Sequence, residues 1–456
     1  MQYKDFLHDK LIVNIPTGIQ IENVNDLLFD WQADITRWSL KRGRACLFED
    51  CGLGKTPQQL AWADVIRQNK GDVLIVAPLA VSKQTVKEGI KFNVEIEYRR
   101  DGTKSKCGIT ITNYEMLKNF NPNDFAGIVL DESSILKSYT GKFRNYIIEQ
   151  WGQVPFKLAC TATPAPNDLM ELCNHSEFVG AMNRTEMLSM FFVHDGGETQ
   201  KWRLKGHAQE EFWEWVCSWA VLINKPSDLG YEDGDFILPP LNIHEIVVNV
   251  DYDFSDGFFP KEALSLGDRQ KARKDSLEVR CRKAAEIANA SDEPWLIWCD
   301  RNDESTLLTK LINESKEIRG SHDHEYKENT MLGFSDGMVK RLVTKPSIAG
   351  FGMNWQHCCK VIFVGLSDSY EKFYQAVRRS WRFGQKKSVD CYIVTAETEG
   401  AVVANIKRKE AQSQNMIKNM VTNMQVYNEK NIKGIEKTVT KYEPNKNILV
   451  PEWLRR

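Results

Sequence analysis

The sequence predicts an α/β protein built of two parallel-sheet lobes in tandem. The chain has 456 residues, which is more than a single hydrophobic core usually serves, so we expect two domains of roughly 200 residues each. Apolar residues make up 42% and charged residues 27% of the chain, the mixture of an ordinary globular protein. Short apolar runs alternate with helix-length segments in both halves, which is typical of parallel sheets covered on both faces.

The apolar runs predict the strands of the two sheets and the helices between them. In the first half the strands are predicted over 45–48, 72–77, 108–112, 127–130 and 156–161, and in the second half over 295–299, 341–344, 360–364 and 391–394. Helices are expected over 57–68 and 81–91, and the tryptophan-rich segment 212–219 is expected to be a helix with buried rings rather than rings that stack on bases. The predicted domains are a first lobe with a helical protrusion (1–235), a linker and the start of the second lobe (236–275), the rest of the second lobe (276–405) and a basic C-terminal tail (406–456).

Charge and cysteine usage narrow the class of protein. The formal net charge of −2 does not indicate a polyanion partner, although residues 405–456 carry eleven Lys and Arg against five Glu. That tail could lie along phosphates, but a solvated helix face is the favoured interpretation. We see neither an apolar run long enough to span a bilayer nor a secretion signal, so a cytoplasmic protein of a bacterium or an infected host, with no membrane partner, is expected. The eleven scattered cysteines are then reduced core thiols rather than a zinc site.

A glycine-containing turn lies between the first predicted strand and the first predicted helix. Residues 49–56 read E-D-C-G-L-G-K-T, and small residues in such a turn let backbone N–H groups point at phosphate oxygens. Lys55 is expected to reach the β and γ phosphates, and the Thr56 hydroxyl to ligate Mg²⁺. Glu49 stands where the common pattern has glycine. The order strand, turn, helix nevertheless favours a nucleotide site over a chance match.

Two acidic residues follow the predicted strand 127–130. Asp131 and Glu132 would lie at the carboxyl edge of the sheet, where nucleotides bind in such folds. We expect Asp131 to hold Mg²⁺ and Glu132 to polarise the attacking water. The alternative is a strand end followed by a polar helix cap, for which Ser133 and Ser134 are suited. The phosphate loop about 75 residues upstream argues against that alternative.

Further motifs make the sequence resemble superfamily 2 helicases and translocases, most closely the SWI/SNF-like branch in a compact bacterial or phage form. The segment D-C-G-L-G-K-T-P-Q (50–58) is similar to the branch's D-E-M-G-L-G-K-T-x-Q, which also lacks the leading glycine. The segment Q-A-V-R-R-S-W-R-F-G-Q (375–385) matches motif VI of that branch, Q-A-x-x-R-x-x-R-x-G-Q, at every fixed position. The resemblance runs in colinear order from about residue 29 to 409, and its other segments are 29–32, 77–81, 112–115, 161–164, 297–300, 344–345 and 350–355.

The resemblance implies two RecA-like lobes, a helical insertion between them, a C-terminal helical tail, and ATP and Mg²⁺ as cofactors. It implies that Gln32 reads the adenine edge. The residues assigned to the cofactor site are Gln32, Gly52, Gly54, Lys55, Thr56 and Gly352. The residues assigned to catalysis are Lys55, Glu132, Gln375, Arg379 and Arg382.

The two motif VI arginines also have a physical argument of their own. Arg379 and Arg382 are three residues apart, so on a helix they would project from one face. Guanidinium groups are permanently charged and fork-shaped, which suits the charge that develops on a γ-phosphate. Because they belong to the second sheet and Lys55 to the first, the site would be complete only when the domains close. Hydrolysis would thereby be coupled to domain motion.

Nucleic-acid contacts are expected at other strand ends of the two sheets. Backbone phosphate contacts suit a motor, because they carry no sequence information. The resemblance assigns them to residues that could hold phosphates or orient groups that do, although singly each could equally be a cap or turn residue. These residues are Pro78, Ser82, Lys83, Thr112, Asn113, Asp300, Thr344 and Lys345.

The sequence departs from the branch at three places. Motif II reads D-E-S-S where most relatives have D-E-A-H or D-E-G-H, Trp381 replaces a histidine, and Ala162 replaces a glycine. None of these changes removes a phosphate, Mg²⁺ or water contact, so an active ATPase is expected. The missing motif II histidine predicts a different coupling between hydrolysis and nucleic acid.

The function predicted from the sequence is an ATP-dependent DNA translocase, with duplex DNA favoured over single strands. The near alternative is a strand-separating helicase that works with replication or recombination proteins, or in fork repair. More distant alternatives are an RNA-directed ATPase and a non-enzymatic DNA-binding scaffold. The intact Lys55, Asp131, Glu132, Arg379 and Arg382 argue against the scaffold.

Overall fold

The computed structural model describes residues 16–137, 141–165, 168–194, 202–249, 273–350, 353–367 and 369–432. Within these ranges two parallel sheets form the centres of two α/β lobes, which confirms the predicted fold class. The elements of the first lobe are α1 (Asp30–Arg42), β1 (Arg44–Glu49), α2 (Lys55–Asn69), β2 (Val73–Ala77), α3 (Leu79–Lys91), β3 (Glu97–Tyr98), β4 (Ile109–Asn113), β5 (Gly127–Asp131), α4 (Lys142–Trp151), β6 (Phe156–Thr161), α5 (Leu172–Val179), α6 (Arg184–Phe191), β7 (Phe192–His194), β8 (Trp202–Leu204), α7 (Gln209–Cys217) and β9 (Ala220–Ile223).

The second lobe begins after two short 3₁₀ turns that follow β9. Its elements are β10 (Leu241–Val248), α8 (Leu277–Asn289), β11 (Trp295–Cys299), α9 (Asn302–Leu311), β12 (Ser315–Glu317), α10 (His324–Ser335), β13 (Arg341–Thr344), α11 (Pro346–Ala349), β14 (Lys360–Val364), α12 (Tyr370–Val377), β15 (Val389–Ala396) and the C-terminal helix α13 (Gly400–Ile432). The 3₁₀ turns within the described residues are Tyr114–Asn119, Pro122–Asp124, Ser133–Lys137, Leu169–Glu171, Gly206–Ala208, Pro226–Leu229, Gly234–Phe236 and Glu397–Glu399.

Every strand predicted from an apolar run is present, and the strand order places the site. The first sheet has the order β3-β4-β2-β5-β6-β1-β9 and the second β10-β15-β14-β11-β13-β12, with parallel pairing throughout both. In the first sheet β1 and β5 both neighbour β6, so the loops after β1 and β5 leave the same edge close together. That edge is where parallel α/β sheets bind ligands.

The strands that the sequence did not predict are short or lie at sheet edges. β3 and β12 have two and three residues, too few to produce a periodic signal. β9 follows the tryptophan-rich helix α7 after only two residues, so its apolar run merges with that of the helix. β10 lies within the segment predicted as linker and start of the second lobe, and it pairs with β15 along its full length.

Apolar side chains cover both faces of each sheet. In the first lobe one core contains Trp213, Trp215 and Trp219 from the tryptophan-rich segment, all buried, as predicted. Ten of the eleven cysteines are buried and all are free thiols, which fits core packing. None of the described helices is both long and apolar enough to cross a membrane.

The C-terminal helix α13 is shared by both lobes. Near its start, Val402 and Ile406 belong to the core of the second lobe. Further along, Met420 and Met424 are buried in the core of the first lobe. The part of the predicted basic tail from 406 to 432 is therefore helical, and it is buried in the second lobe near Ile406 and in the first lobe near Met424. Residues 433–456 lie outside the described residues.

Candidate nucleotide site between the two lobes

The loop between β1 and α2 has the shape that a phosphate-binding loop requires. Gly52 and Gly54 adopt φ of 92° and 83°, in the left-handed region that glycine enters without strain. A Cβ on Gly54 would lie 2.3 Å from Nε2 of Gln32, so a side chain there would push the Gln32 amide away from the Leu53 carbonyl that it bonds. Lys55 opens helix α2, and its Nζ donates to the backbone carbonyls of Glu49 at 2.7 Å and Asp50 at 3.1 Å. The lysine therefore lies folded over the loop at a helix N-terminus, a favourable place for an anion.

Glu49, the departure from the common loop pattern, is the last residue of strand β1 and not part of the turn. Its side chain is buried, and its Oε2 accepts a hydrogen bond from Nε2 of Gln58 at 2.8 Å. Burial raises the pKa of Glu49 to about 7, although Lys55 and Gln58 act in the opposite direction. Because this position is extended, glycine is not needed here.

Asp131 and Glu132 stand at the carboxyl end of β5, two strands away from β1. Oδ1 of Asp131 accepts from Nε2 of Gln59 at 2.8 Å, and burial raises the pKa of Asp131. Glu132 has a φ of 56°, a strained conformation for a residue with a side chain. Its Oε1 accepts from the hydroxyls of Ser134 at 2.8 Å and Thr161 at 2.9 Å. The Glu132 carboxylate is thus held by a residue of its own loop and by the end of β6.

The two serines that replace the usual motif II residues have different partners. Ser134 bonds to Glu132, whereas Oγ of Ser133 lies 3.0 Å from Nε2 of His175 on helix α5. Burial lowers the pKa of His175 to about 3, so this imidazole is neutral at physiological pH. No local pattern points to His175, because it lies 42 residues from Ser133.

The motif VI arginines do not lie on a helix, contrary to the prediction. Helix α12 ends at Val377, and beyond it the backbone N–H groups of Arg379 and Ser380 donate to carbonyls three residues back, at 3.2 and 3.1 Å. Arg379 and Arg382 nevertheless converge, since each donates from Nη1 to the carbonyl of Met353 at 3.3 Å. Burial lowers the pKa of both guanidinium groups, and for Arg382 the neighbouring Arg379 adds to the effect.

A cleft of about 290 Å³ between the lobes, called the first cleft, brings most of the predicted ATP-site residues together. Phe29, Phe236 and Phe383 form an aromatic cluster at its wall, with Phe236 and Phe383 stacked at 4.6 Å. The predicted residues that line the first cleft are Gln32, Gly52, Gly54, Lys55, Thr56, Asp131, Glu132, Arg379 and Arg382.

Two of the predicted cofactor and catalytic residues, Gln32 and Gln375, form hydrogen bonds within the protein. Gln32 is buried, and its amide already accepts from the backbone N–H of Phe29 at 3.1 Å and donates to the Leu53 carbonyl at 2.8 Å. It therefore supports the phosphate loop in addition to facing the cleft. Gln375 is buried away from the first cleft, and its backbone carbonyl accepts from Nε of Arg379 at 2.9 Å. Gly352 lies outside the described residues.

Sequence reasoning missed a contact by which the second lobe holds the phosphate loop. Nη2 of Arg378 donates to Oδ2 of Asp50 at 2.7 Å and to the carbonyl of Cys51. Oη of Tyr374 donates to Oδ1 of Asp50 at 2.5 Å. Arg378 is only 4% exposed; burial disfavours its charge, but Asp50, Tyr374 and Cys51 together outweigh burial, and the pKa of Arg378 is raised. Asp50 and Arg378 are 328 residues apart, so only the fold reveals the pair.

The predicted nucleic-acid residues are divided between a second cleft and buried positions. The second cleft, of about 380 Å³, also lies between the lobes, and its lining includes Pro78, Tyr114, Glu132, Ser134, Lys137, Lys327 and Ser347. Of the predicted residues, Pro78 lines it. Ser82, Thr112, Asn113 and Thr344 are buried, so in this conformation their side chains can orient neighbours but not touch a phosphate.

Two charged residues of that set already have partners. Lys83 forms an ion pair with Glu328 of the second lobe, and Asp300 with Arg273 at 2.9 Å. Asn113 accepts from the backbone N–H of Met116 at 3.0 Å as a cap. Lys345 is the N-terminal cap residue of α11 and is half-buried.

Thr56 and Asp131 have the donor chemistry for Mg²⁺. Both side chains line the first cleft, and hydroxyl and carboxylate oxygens are the hard ligands this ion prefers. In phosphate sites Mg²⁺ takes few protein ligands and is completed by phosphate oxygens and water. Among the described residues no group of three or more His, Cys, Asp or Glu is placed to hold a metal.

Comparison with known proteins gives a structural likeness at low identity. No family model matches the chain, and no curated protein matches it. Among solved structures, the chain is similar to the SWI2/SNF2 ATPase core of Sulfolobus solfataricus in complex with dsDNA. The identity is 18%, the likeness covers 91% of this chain and 99% of that one, and the TM-score is 0.42. The residue roles proposed below rest on the contacts within this chain.

Proposed function

We propose that the protein hydrolyses ATP in the first cleft with the help of Mg²⁺ and uses the reaction to move along DNA, with duplex DNA favoured. The observation that best supports this proposal is the convergence at one cleft. Lys55 and Thr56 from α2, Asp131 and Glu132 after β5, and the motif VI arginines from the other lobe all line it. Phosphoryl transfer depends mostly on positioning and charge stabilisation, and these groups supply both.

Each side chain of the first lobe has a distinct part in the proposed reaction. Lys55 now donates to two backbone carbonyls, and a triphosphate would offer it stronger, anionic acceptors. Thr56 and Asp131 would hold Mg²⁺, which when bound polarises the β and γ phosphate oxygens. Glu132 would accept a hydrogen bond from the attacking water and orient it towards the γ-phosphate.

The second lobe supplies positive charge where negative charge develops. Arg379 and Arg382 reach the first cleft with guanidinium groups that cannot lose their protons at physiological pH. They come from a different lobe than Lys55, so the proposed site is complete only while the lobes are together. Movement along DNA follows if closure and opening of the lobes alternate with hydrolysis. DNA as the partner rests on the motif resemblance.

The test is steady-state ATP hydrolysis without nucleic acid and with single-stranded DNA, duplex DNA or RNA. We expect duplex DNA to stimulate most and Lys55→Ala to abolish hydrolysis. Lys70→Ala is the matched control, because Lys70 is an exposed lysine at the other end of the same helix. Unchanged hydrolysis in Lys55→Ala would refute the proposal. Stimulation mainly by single strands would favour the strand-separating helicase, which a strand-displacement assay would then test.

A further inference from the structure

Glu132 lies between the first and the second cleft, and it lines both of them. Ser134 lines the second cleft but not the first. The hydrogen bond from Ser134 Oγ to Glu132 Oε1, 2.8 Å long, therefore joins a group of the second cleft to the carboxylate that faces the first. A molecule in one cleft can influence the other through this single bond.

The carboxylate of Glu132 is restrained in a specific way. One oxygen, Oε1, accepts both the Ser134 hydroxyl and the Thr161 hydroxyl. Each of these two hydrogen bonds occupies a lone pair of Oε1 that another donor could otherwise use. The left-handed backbone of Glu132 is a strained conformation of the kind found at functional sites. Here it turns the side chain towards these two hydroxyls.

We propose that Ser134 is a positioning residue that restrains Glu132 until a nucleic-acid phosphate enters the second cleft. This inference rests on the proposed function. The Ser134 hydroxyl then donates to the phosphate oxygen instead of to Glu132, so one hydrogen bond is exchanged for another and no covalent bond changes. Glu132 keeps its bond from Thr161, and the freed lone pair on Oε1 is available to the attacking water. Nucleic acid would thereby stimulate hydrolysis without touching the first cleft.

The second cleft contains groups that can receive a phosphate. Ser134 is only 4% exposed, so only a group that fills the second cleft reaches its hydroxyl. Lys137 and Lys327 line the same cleft beside the carboxylates of Glu115, Glu328 and Glu371. Lys137 forms an ion pair with Glu371 and Glu328 forms one with Lys83, so an entering phosphate competes with Glu371 for Lys137. Phosphate oxygens attract both lysine ammonium groups and hydroxyl donors.

Ser133 provides a matched control on the same turn. Its hydroxyl faces His175, 3.0 Å away, and it lines neither cleft. A change at Ser133 disturbs the local packing to about the same degree as a change at Ser134, but it leaves the Glu132 carboxylate with both of its donors. The two serines therefore separate a structural effect from a positioning effect.

The experiment measures kcat and KM for ATP with and without saturating duplex DNA in wild type, Ser134→Ala, Ser134→Thr and Ser133→Ala. For Ser134→Ala we expect kcat without DNA to rise about fivefold and the stimulation by DNA to fall by a similar factor, with KM little changed. Ser134→Thr keeps a hydroxyl and should restore the wild-type ratio, and Ser133→Ala should show the wild-type ratio at a lower melting temperature.

Other outcomes overturn the inference. If Ser134→Ala lowers kcat equally with and without DNA, Ser134 only aligns Glu132 for catalysis. If the stimulation ratio is unchanged, or if Ser133→Ala changes it as much, the relay does not exist. These results leave the proposed ATPase intact, whereas a wild-type protein without hydrolysis, or an active Lys55→Ala variant, overturns both the ATPase and the relay.

Discussion

Replacing Asp50 by asparagine tests whether closure of the lobes depends on the contact between Arg378 and the phosphate loop. Asp50→Asn keeps the size of the side chain but removes the charge that faces Arg378 at 2.7 Å. Removing one partner of a buried ion pair costs about 3–5 kcal/mol. Arg378 keeps the Cys51 carbonyl, and the Asp50 side chain is 19% exposed. We therefore take the lower end, about 3 kcal/mol.

That free energy acts on the closing of the lobes, because each lobe keeps its own core. Since about 1.4 kcal/mol corresponds to a factor of ten, we expect kcat/KM for ATP hydrolysis with DNA to fall roughly 100-fold. The control is Lys87→Ala, which removes another contact between the lobes, the pair with Asp336. The Lys87 side chain is 52% exposed, and such pairs contribute at most about 1 kcal/mol, or roughly fivefold.

A double-mutant cycle completes the measurement. Arg378→Gln alone should cost about as much as Asp50→Asn, and the double variant should cost little more than either, because both changes remove the same interaction. Losses that simply multiply would refute the reasoning, as would an Asp50→Asn variant no slower than Lys87→Ala. In either case the phosphate loop would hold its shape without the second lobe.

Three further predictions concern stability. Met424→Ala should lower the free energy of unfolding of the first lobe by about 2–5 kcal/mol, because Met424 of the C-terminal helix is fully buried in that core. Chemical denaturation would measure this loss, and a value below about 1 kcal/mol would mean that the helix is only loosely attached to the first lobe. The pKa of Glu49 is raised by burial to about 7, so the stability it contributes is present below its unfolded pKa of about 4.3 and is lost as pH rises through 7. Glu49→Gln should remove this pH dependence from the free energy of unfolding between pH 5 and 8. A pH profile of the variant that runs parallel to that of wild type would contradict this prediction. The pKa of His175 is lowered by burial to about 3, so stability should be lost as pH falls below about 6.5, and His175→Asn should be less sensitive than wild type when melting is compared at pH 7 and pH 5.

The sequence predicts those helices, strands and site residues that a continuous local pattern of apolar and polar residues determines. The strand that ends in Asp131 is a continuous apolar run followed by acids, and both its position and the placing of the acids at the sheet edge follow from that run. β9 could not be separated from helix α7, because apolar residues continue across the turn between them. The spacing of apolar residues indicates which segments are buried, but it does not indicate where the chain turns within a buried segment.

Contacts between distant segments were beyond sequence reasoning. Motif VI directed attention to Arg379 and Arg382, yet the adjacent Arg378 makes the ion pair with the phosphate loop. The sequence contains only a weak signal for this ion pair. The loop carries an acidic residue, Asp50, and motif VI contains one arginine, Arg378, beyond those that the motif requires. Likewise the burial of Ser82 and Thr112 depends on how α3 and β4 pack, which no motif spacing specifies.

The C-terminal helix gives the two lobes a second mechanical connection. The lobes are already joined by the chain between β9 and β10, and α13, about 50 Å long at 1.5 Å per residue, is embedded in the second lobe near one end and in the first near the other. Two bodies joined at two separate points keep essentially one free motion, a rotation about the line through both joints. Opening of the clefts is then hinge-like, and sliding or twisting of one lobe past the other would require the helix to bend or to leave a core.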